Sequence, residues 1–362
     1  MESAPRAYES GQRVLVGLAS LVVVAAGLRA AAPILEPVAF AIFLGVLALP
    51  LFRWLRARGL AVPLAVAAAM LSIAGVLTIF LLLLLGALGE FREVGPHYWA
   101  VLNERARYTL EWWEGKGIAL LDYLPDQWRD PKTIVTLASG TLRGVLHFLS
   151  AGAITLLALV FLLVEFAAFP GKLAAAPGAV RERMRFFADV SSELQRYLLI
   201  KTAISLAVGL AAGLWVAFLG VDFAVLLGLV AFSCHFIPNV GAALAAAPAM
   251  LCAFVQYDLP KALIVGIGYL VIGVALGNLA EPALMGRRLG MSPLIVFLSL
   301  VFWGWLWGPV GMFLSVPLTM SVKILLSSSP QYRWIAALLD AERREEIVPA
   351  TAEPATAGPE PS

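Results

Sequence analysis

The fold is decided by a charge-free stretch near the C-terminus, residues 289–322, which reads LGMSPLIVFLSLVFWGWLWGPVGMFLSVPLTMSV. A helix that crosses a membrane once needs roughly 20 apolar residues, and two crossings with a turn need about 42. The stretch is too long for one crossing and too short for two. Near its middle it contains Gly308-Pro309-Val310-Gly311, and glycine and proline interrupt helices. It therefore predicts a helical hairpin with its tip near the centre of a membrane.

A second charge-free stretch, residues 223–257, shows the same pattern and is interrupted by Pro238-Asn239-Val240-Gly241. A turn at membrane depth is tolerated only where protein or a water-filled cavity surrounds it. One ordinary span precedes each stretch, so two such hairpins would enter from opposite faces and form an inverted repeat. In transporters with such repeats, the binding site lies between the broken helices near the midplane. The alternative is two pairs of short kinked spans without a repeat.

The composition indicates that most of the chain lies in lipid. Of its 362 residues, 61% are hydrophobic and 14% are charged, and the net charge is +2. Soluble domains contain about 25% charged residues, so a soluble enzyme, a disordered chain and a nucleic-acid-binding protein are excluded. The predicted fold is an all-α integral membrane protein of about eight membrane segments, six spans plus two re-entrant helical hairpins in an inverted repeat. The six spans are expected in segments 14–28, 37–52, 59–89, 144–164, 202–221 and 262–280.

Loops and charge divide the chain into five regions. Lys and Arg are concentrated in loops that a cytoplasmic N-terminus would place inside, so both termini are expected in the cytoplasm. Residues 90–143 include an amphipathic helix, which either contacts lipid or a neighbouring subunit, or only packs as a small cap. The regions are a three-span scaffold (1–89), this extramembrane insert (90–143), a fourth span with a cytoplasmic amphipathic helix (144–201), a transport domain with two hairpins (202–325), and a C-terminal helix with a disordered tail (326–362).

Several short runs in the chain closely resemble a known family signature. They are FIPNVG (236–241), GNLAEP (277–282), MGRRLG (285–290), FWGWLWGPVG (302–311) and VPL (316–318). Together they resemble the autoinducer-2 exporter (AI-2E) family, and the tryptophan-rich run is similar to its exporting branch. The resemblance implies a homo-oligomeric transporter of the bacterial inner membrane, a pentamer in some members, with an elevator-like movement of the hairpin domain. It also implies export of autoinducer-2, a quorum-sensing signal, or sodium/proton exchange on the same scaffold.

Polar candidates for the transport site lie in the first tip and at the inner end of the seventh segment. Asn239 can donate and accept hydrogen bonds, as a polyhydroxylated ligand requires, but asparagine also caps broken helices. Asn278 and Glu281 are three residues apart and are expected to share a helix face. Glu281 could carry a proton or pair with Arg287 or Arg288.

The other candidates offer a titratable ring, flat apolar walls or close backbone approach. An imidazole titrates near neutral pH, so His235 is a second candidate for proton coupling, or else a neutral hydrogen-bonding residue. Tryptophan supplies apolar surface with an N–H donor, and glycine lets a ligand approach the backbone. The remaining transport candidates are Pro238, Gly241, Trp303, Trp307, Gly308, Pro309 and Gly311.

The chain carries no pattern of an enzyme site. It has no Ser/His/Asp arrangement, phosphate loop or metal-ligand spacing, so we expect no catalysis, cofactor or metal. Cys234 and Cys252 lie in a charge-free segment and indicate neither a metal site nor a disulfide framework. The expected partners are a small-molecule substrate, membrane lipids and further copies of the chain, with no nucleic acid. Three hypotheses stay open: an exporter of a small polar molecule, a cation/proton antiporter and a non-transporting membrane scaffold.

Overall fold

The computed structural model describes residues 4–114, 152–285 apart from 153, 170, 173, 176 and 239, residues 291–327, and residue 339. Within these ranges the chain is helical and contains no strand. In chain order the helices are α1 (Ala4–Ala30), α2 (Ala32–Ala57), α3 (Val62–Glu114), α4 (Ile154–Phe169), α5 (Gly178–Phe218), α6 (Ala224–His235), α7 (Gly241–Gln256), α8 (Leu259–Ile272, continued as a π-helix over Gly273–Ala280), α9 (Glu281–Met285) and α10 (Pro293–Ser327).

Within the described residues, five helical segments are long and apolar enough, by length and composition, to cross a membrane. Large apolar side chains point outward from them: Leu82 is 63% exposed and Phe218 is 81% exposed. Such an exposed apolar surface is rare in a protein dissolved in water, whereas lipid tails are as apolar as leucine. The chain is therefore a multi-pass membrane protein that is helical in the part that the structure describes. The five segments are Ala32–Ala57, Val62–Gly95, Ser192–Phe218, Leu259–Met285 and Pro293–Ser327.

Two helices run continuously through boundaries that the sequence pattern places between regions. α3 has 53 residues, roughly 80 Å at 1.5 Å per residue, and continues without a break from the third span into the 90–143 region. α5 joins the predicted cytoplasmic amphipathic helix to the span that follows it. The rest of the insert, residues 115–143, and the tail from residue 340 onward lie outside the described residues.

Two buried clusters organise the described part of the chain. The first packs α2, α3 and α4 against the second half of α10, with Leu163 and Leu314 fully enclosed. The second lies among α5, α6, α7 and α8 and includes Val216 and Val265, neither of which is exposed at all. The α5–α8 group therefore has a core of its own, whereas the core around α2, α3 and α4 also takes in residues of α5 and α10.

Glycines allow α5 and α6 to cross in close contact. A Cβ on Gly209 would lie 2.7 Å from the Cβ of Phe232 and 2.9 Å from the carbonyl oxygen of Gly228. A Cβ on Gly213 would lie 3.2 Å from the carbonyl oxygen of Ala224. Small residues at helix crossings bring backbones together where no hydrophobic effect drives association. This crossing fixes α6 against α5 and so positions the end of α6.

Candidate functional site

The first interrupted stretch folds back on itself between α6 and α7, and we call residues 224–256 the first fold-back. α6 ends at His235, α7 begins at Gly241, and Pro238 lies half-buried in the turn between them. A Cβ on Gly241 would overlap the carbonyl oxygen of Cys234, so glycine is required for the two arms to come this close. The arms are roughly 18 and 24 Å long, shorter than the ~30 Å hydrocarbon core of a membrane.

α10 also folds back, at a two-residue break in its middle, and we call residues 293–327 the second fold-back. Trp307 (φ −126°, ψ 17°) and Gly308 (φ +59°, ψ −141°) leave the helical conformation. The hydroxyl of Ser299 donates to the carbonyl of Ser315 at 2.9 Å. In a straight helix, residues 16 positions apart would be about 24 Å apart. The two halves of α10 therefore run back along each other.

Two tryptophans hold the second fold-back in position, and a third faces outward. The indole N–H of Trp303 donates to the hydroxyl of Thr319 on the opposite arm at 2.9 Å. At the break, the indole N–H of Trp307 donates to the carbonyl of Leu28 in α1 at 3.2 Å. Trp303 and Trp307 are 8% and 7% exposed, whereas Trp305 is 54% exposed.

The two fold-backs meet in a cluster of phenylalanines. Phe236, in the turn of the first fold-back, stacks on Phe313 of the second with ring centroids 4.2 Å apart. Phe43 of α2 makes edge contacts with both rings, at 6.1 and 5.3 Å. Aromatic pairs at such distances stabilise packing beyond the area that they bury. The cluster thus joins both fold-backs to a helix of the N-terminal region.

A buried cluster of charged and titratable groups lies at the same end of α6. Lys201 Nζ is 3.0 Å from each carboxylate oxygen of Glu281. His235 Nε2 is 3.2 Å from Glu281 Oε2 without a hydrogen bond between them. The side chains of Lys201, His235 and Glu281 are 7%, 10% and 15% exposed. Ionisable groups inside a membrane protein are expensive to bury and usually mark a pathway or a site.

The backbone around this cluster is irregular. The π-helix Gly273–Ala280 ends directly before Glu281, and π-helical turns occur frequently at functional sites. A Cβ on Gly277 would lie 3.1 Å from Cε1 of His235, so the helix passes close to the ring. The hydroxyls of Thr202 and Ser205, on α5 beside Lys201, are buried without a hydrogen-bond partner among the described residues. Buried polar atoms without partners suit a water, an ion or a ligand.

The far end of the first fold-back is closed by a polar cluster that includes the extension of α3. The Tyr98 hydroxyl donates to Asp222 Oδ2 at 2.6 Å, and the backbone N–H of Asp222 donates to Gln256 Oε1 at 3.0 Å. The Gln256 amide in turn donates to the carbonyl of Gly220 at 3.1 Å. Burial and the hydrogen bond to Asp222 raise the pKa of Tyr98 above its usual range. The region after residue 89 is thus bonded directly to the base of the first fold-back.

The structure brings some of the predicted site residues together and separates others. The two candidates for proton coupling, His235 and Glu281, are in contact. Asn278, predicted to share a face with Glu281, is exposed and lies in the π-helix, whose turn is wider than that of an α-helix. Gly311 is buried, and a Cβ there would overlap the carbonyl oxygen of Trp303. Pro309 is exposed at the second turn. Three named candidates lie outside the described residues: Asn239, Arg287 and Arg288.

Sequence reasoning missed the cation that contacts Glu281. Lys201 is 80 positions away in the chain, and by sequence it resembles one more cytoplasmic cation at the end of an amphipathic helix. The available signal was its place directly before the charge-free segment 202–221, since a helix that continues from residue 178 carries it into the membrane. Sequence reasoning also missed the contacts of Trp303 with Thr319 and of Phe236 with Phe313, because both contacts join separate helical segments.

These fold-backs and buried charges, carried on membrane-spanning helices, are typical of a membrane transport protein. The chain belongs to the AI-2E transporter family, whose model matches residues 18–331. It is 37% identical over 344 residues to the AI-2 transport protein TqsA of Escherichia coli (strain K12), covering 93% of this chain and 98% of that protein. It is also 32% identical over 348 residues to YhhT of the same strain, covering 95% and 99%. The predicted family is confirmed.

Proposed function

We propose that the chain is a secondary transporter that exports a small polar molecule, with autoinducer-2 as its substrate. The observation that carries the proposal is the meeting of the two fold-backs at Phe236 and Phe313, beside the buried Lys201, Glu281 and His235. Broken helices that meet inside a membrane expose backbone groups and helix ends to a bound solute. The choice of substrate is supported by the similarity to TqsA, whose name describes AI-2 transport.

In the proposed membrane arrangement, about eight segments are present, and the two fold-backs are re-entrant hairpins that enter from opposite faces. The arm lengths of the first fold-back support this arrangement, because α6 and α7 are each too short to cross alone. The first half of α10, residues 293–306, is also too short. Both termini lie in the cytoplasm and the protein resides in the bacterial inner membrane. Arg53, Arg56 and Arg58, in and after the last turns of α2, support this orientation.

The proposed movement is elevator-like, with residues 202–325 shifting against a scaffold formed by residues 1–89. The separate core of α5–α8 supports the movement of that part as a unit, while the second half of α10 packs against α2 and α3 in the first cluster. The phenylalanine contacts with α2 lie where the two parts would slide. The protein acts as a homo-oligomer, a pentamer by family resemblance, in which the scaffold stays fixed through contacts between subunits.

Reconstitution of the purified full-length protein tests the proposal. Vesicles loaded with autoinducer-2 should release it in the presence of the wild-type protein, measured with and without sodium or proton gradients. Gly311→Leu should lose most of this efflux, because its side chain would overlap the carbonyl of Trp303. Gly75→Leu is the matched control, since nothing lies within 4 Å of that Cβ. Transport of another solute without autoinducer-2 would reject the substrate, and no flux of any solute would favour a non-transporting scaffold.

A cation/proton antiporter on the same scaffold is the second candidate, and the Lys201–Glu281–His235 cluster favours it. A carboxylate that exchanges partners can bind a proton or a cation in turn, and the unpartnered hydroxyls of Thr202 and Ser205 could supply further oxygens to a cation. Sodium-driven proton movement in vesicles without autoinducer-2 would identify this activity. Glu281→Gln should abolish it and His235→Ala should change its pH dependence, whereas autoinducer-2 efflux that needs no ion gradient would argue against it.

A further inference from the structure

A cavity of about 380 Å³ lies between α2 and α5, where each helix carries basic residues. It is separate from the proposed transport site, because none of the residues of the Lys201 cluster or of the two fold-backs lines it. α2 contributes the last turns before its end at Ala57, and α5 contributes the start of the membrane-spanning segment Ser192–Phe218. The side chains that line the cavity include Pro50, Arg53, Gln195, Arg196, Leu199 and Ile200.

One wall of this cavity carries the exposed Arg53, whose guanidinium is bonded to a buried glutamine. Arg53 Nη1 donates to Gln195 Oε1 at 3.2 Å, and Gln195 Nε2 donates to the carbonyl of Val46 at 3.3 Å. Gln195 is only 7% exposed, so its amide is held in place by burial and by these two bonds. The bond to Gln195 uses one of the five N–H donors of the guanidinium. Arg53 is thus oriented at the wall with donors to spare.

The cavity carries positive charge from both helices. Arg196 lines it from α5, opposite Arg53 of α2. Among the described residues, no carboxylate lies within ion-pair distance of either arginine. Two like charges around one cavity repel each other, and an anion between them removes that repulsion. Planar guanidinium groups match the oxygens of a phosphate in a two-point contact.

Apart from Ser192 at the start of the span, the remaining lining is apolar and lies on the side toward the membrane interior. Leu199 and Ile200 follow Arg196 into the span that begins at Ser192, and Pro50 precedes Arg53 by nearly one helical turn. Polarity therefore changes along the cavity from arginine at the helix ends to apolar side chains deeper in the span. A phospholipid has the same polarity, with its phosphate at the membrane surface and its acyl chains toward the centre.

We propose that this cavity binds the phosphate group and upper acyl chain of an anionic phospholipid, which bridges α2 and α5. The charge of the site selects an anionic lipid, and basic residues near a membrane surface attract such lipids. A free phosphate ion would match the arginines but would leave the apolar wall uncovered. The bound lipid would link the N-terminal region to the helix that carries Lys201.

The test measures lipid retention by native mass spectrometry and thermal stability of the full-length protein in mild detergent. Phosphatidylglycerol, phosphatidylcholine with the same acyl chains, and inorganic phosphate are added separately. Phosphatidylglycerol should bind and stabilise the wild type, and Arg53→Gln and Arg196→Gln should each weaken its affinity about tenfold, the effect of losing one charge-assisted hydrogen bond. Arg58→Gln is the matched control, because Arg58 follows the same helix, stacks on Trp54 at 3.8 Å and does not line the cavity.

Four results would overturn the proposal. The first is unchanged phosphatidylglycerol affinity in the double variant Arg53→Gln/Arg196→Gln. The second is binding of phosphatidylcholine as strong as that of phosphatidylglycerol. The third is stabilisation by inorganic phosphate as large as that by phosphatidylglycerol, which would indicate a site for a soluble anion. The fourth is a change in oligomeric mass of the double variant without added lipid, which would assign the cavity to a contact between subunits.

Discussion

The two fold-backs achieve the same reversal of the chain by different means. The first has a turn of several residues between separate helices, and its ends contact carboxylates. His235 lies 3.2 Å from Glu281 near the turn, and Gln256 donates to the Asp222 carboxylate at 3.2 Å at the base. The second reverses at two residues, Trp307 and Gly308, and its arms are joined by neutral hydroxyl and indole hydrogen bonds.

The difference indicates which fold-back depends on its surroundings. The second carries its own bonds between its arms, so we expect it to hold its shape as a unit. The first is held by partners on other helices, namely Lys201 through Glu281 on one side and Tyr98 on the other. Interactions with charged groups are stronger than neutral ones but cost more when one partner is lost. The first fold-back is therefore the one that a proton, a cation or a substrate can release.

The largest effect is expected from Lys201→Met. The substitution leaves the Glu281 carboxylate buried without its cation, and breaking a buried pair costs about 3–5 kcal/mol. The double variant Lys201→Met/Glu281→Gln removes both charges and should recover most of the lost free energy of unfolding. Unfolding titrations in detergent measure both variants. A double variant that is as unstable as the single one would show that the pair does not hold the helices together.

Tyr98→Phe should weaken the base of the first fold-back by about 1.5–3 kcal/mol, because the lost hydrogen bond has a charged acceptor. The raised pKa of Tyr98 means that the folded protein keeps the phenol proton after an unfolded tyrosine loses it, at about pH 10. The unfolded chain then binds fewer protons, so wild-type stability should fall as the pH rises above that value.

Unfolding titrations between neutral and alkaline pH test this prediction. In Tyr98→Phe the alkaline fall in stability should be smaller than in the wild type. Tyr257→Phe is the matched control, since the Tyr257 hydroxyl donates to the carbonyl of Gly220 in the same cluster at 2.8 Å. An alkaline dependence that is the same in wild type and Tyr98→Phe would contradict the account.

Alanine and leucine substitutions at Gly308 and Gly241 should distinguish the two turns, because the loss of stability should depend on the size of the new side chain only at Gly241. Gly308 needs a backbone conformation with positive φ but has open space around it, so alanine and leucine should both cost about 1–3 kcal/mol. Gly241 needs space beside the carbonyl of Cys234, so alanine should cost about 1–3 kcal/mol and leucine clearly more. Unfolding titrations of the four variants measure these losses. A loss of stability at Gly308 that is larger for leucine than for alanine would contradict the prediction.

The smallest effect is expected within the second fold-back. Trp303→Phe keeps the aromatic packing and removes the indole bond to Thr319, worth about 0.5–1.5 kcal/mol. Trp305→Phe should change stability very little, because Trp305 is largely exposed. Melting temperatures of the two variants in the same detergent test the contrast. Equal losses would mean that the arms are not joined through Trp303.

The sequence located the interruptions of the helices well. The lengths of the charge-free stretches and the glycines and prolines inside them predicted breaks at 238–241 and 308–311, and the helices break at 236–240 and 307–308. These signals are local, because the conformational limits of glycine and proline act within a few residues. The AI-2E family was predicted from the motifs for the same reason, since each motif is a short contiguous run.

The contacts between distant segments were not predictable from spacing. Lys201 and Glu281 meet because of how α5, α6 and α8 pack. The glycine crossing of α5 and α6 and the π-helix before Glu281 together set the positions of these helices along one another. The π-helix before Glu281 also departs from the 3.6 residues per turn that the prediction of a common face for Asn278 and Glu281 assumed. Local patterns thus fix where helices stop, and packing decides which side chains meet.

Cysteine labelling during transport tests the central claim most directly. The background for this experiment is a variant whose Cys234 and Cys252 are replaced by alanine. In it, Val240→Cys and Pro309→Cys each place a single thiol at the exposed turn of one fold-back. Leu82→Cys places a control thiol on the exposed face of α3. We predict that a membrane-impermeant thiol reagent labels positions 240 and 309 from opposite sides of the membrane, that autoinducer-2 slows both reactions, and that position 82 stays unlabelled. Labelling of both turns from the same side, or rates that autoinducer-2 leaves unchanged, would contradict the account.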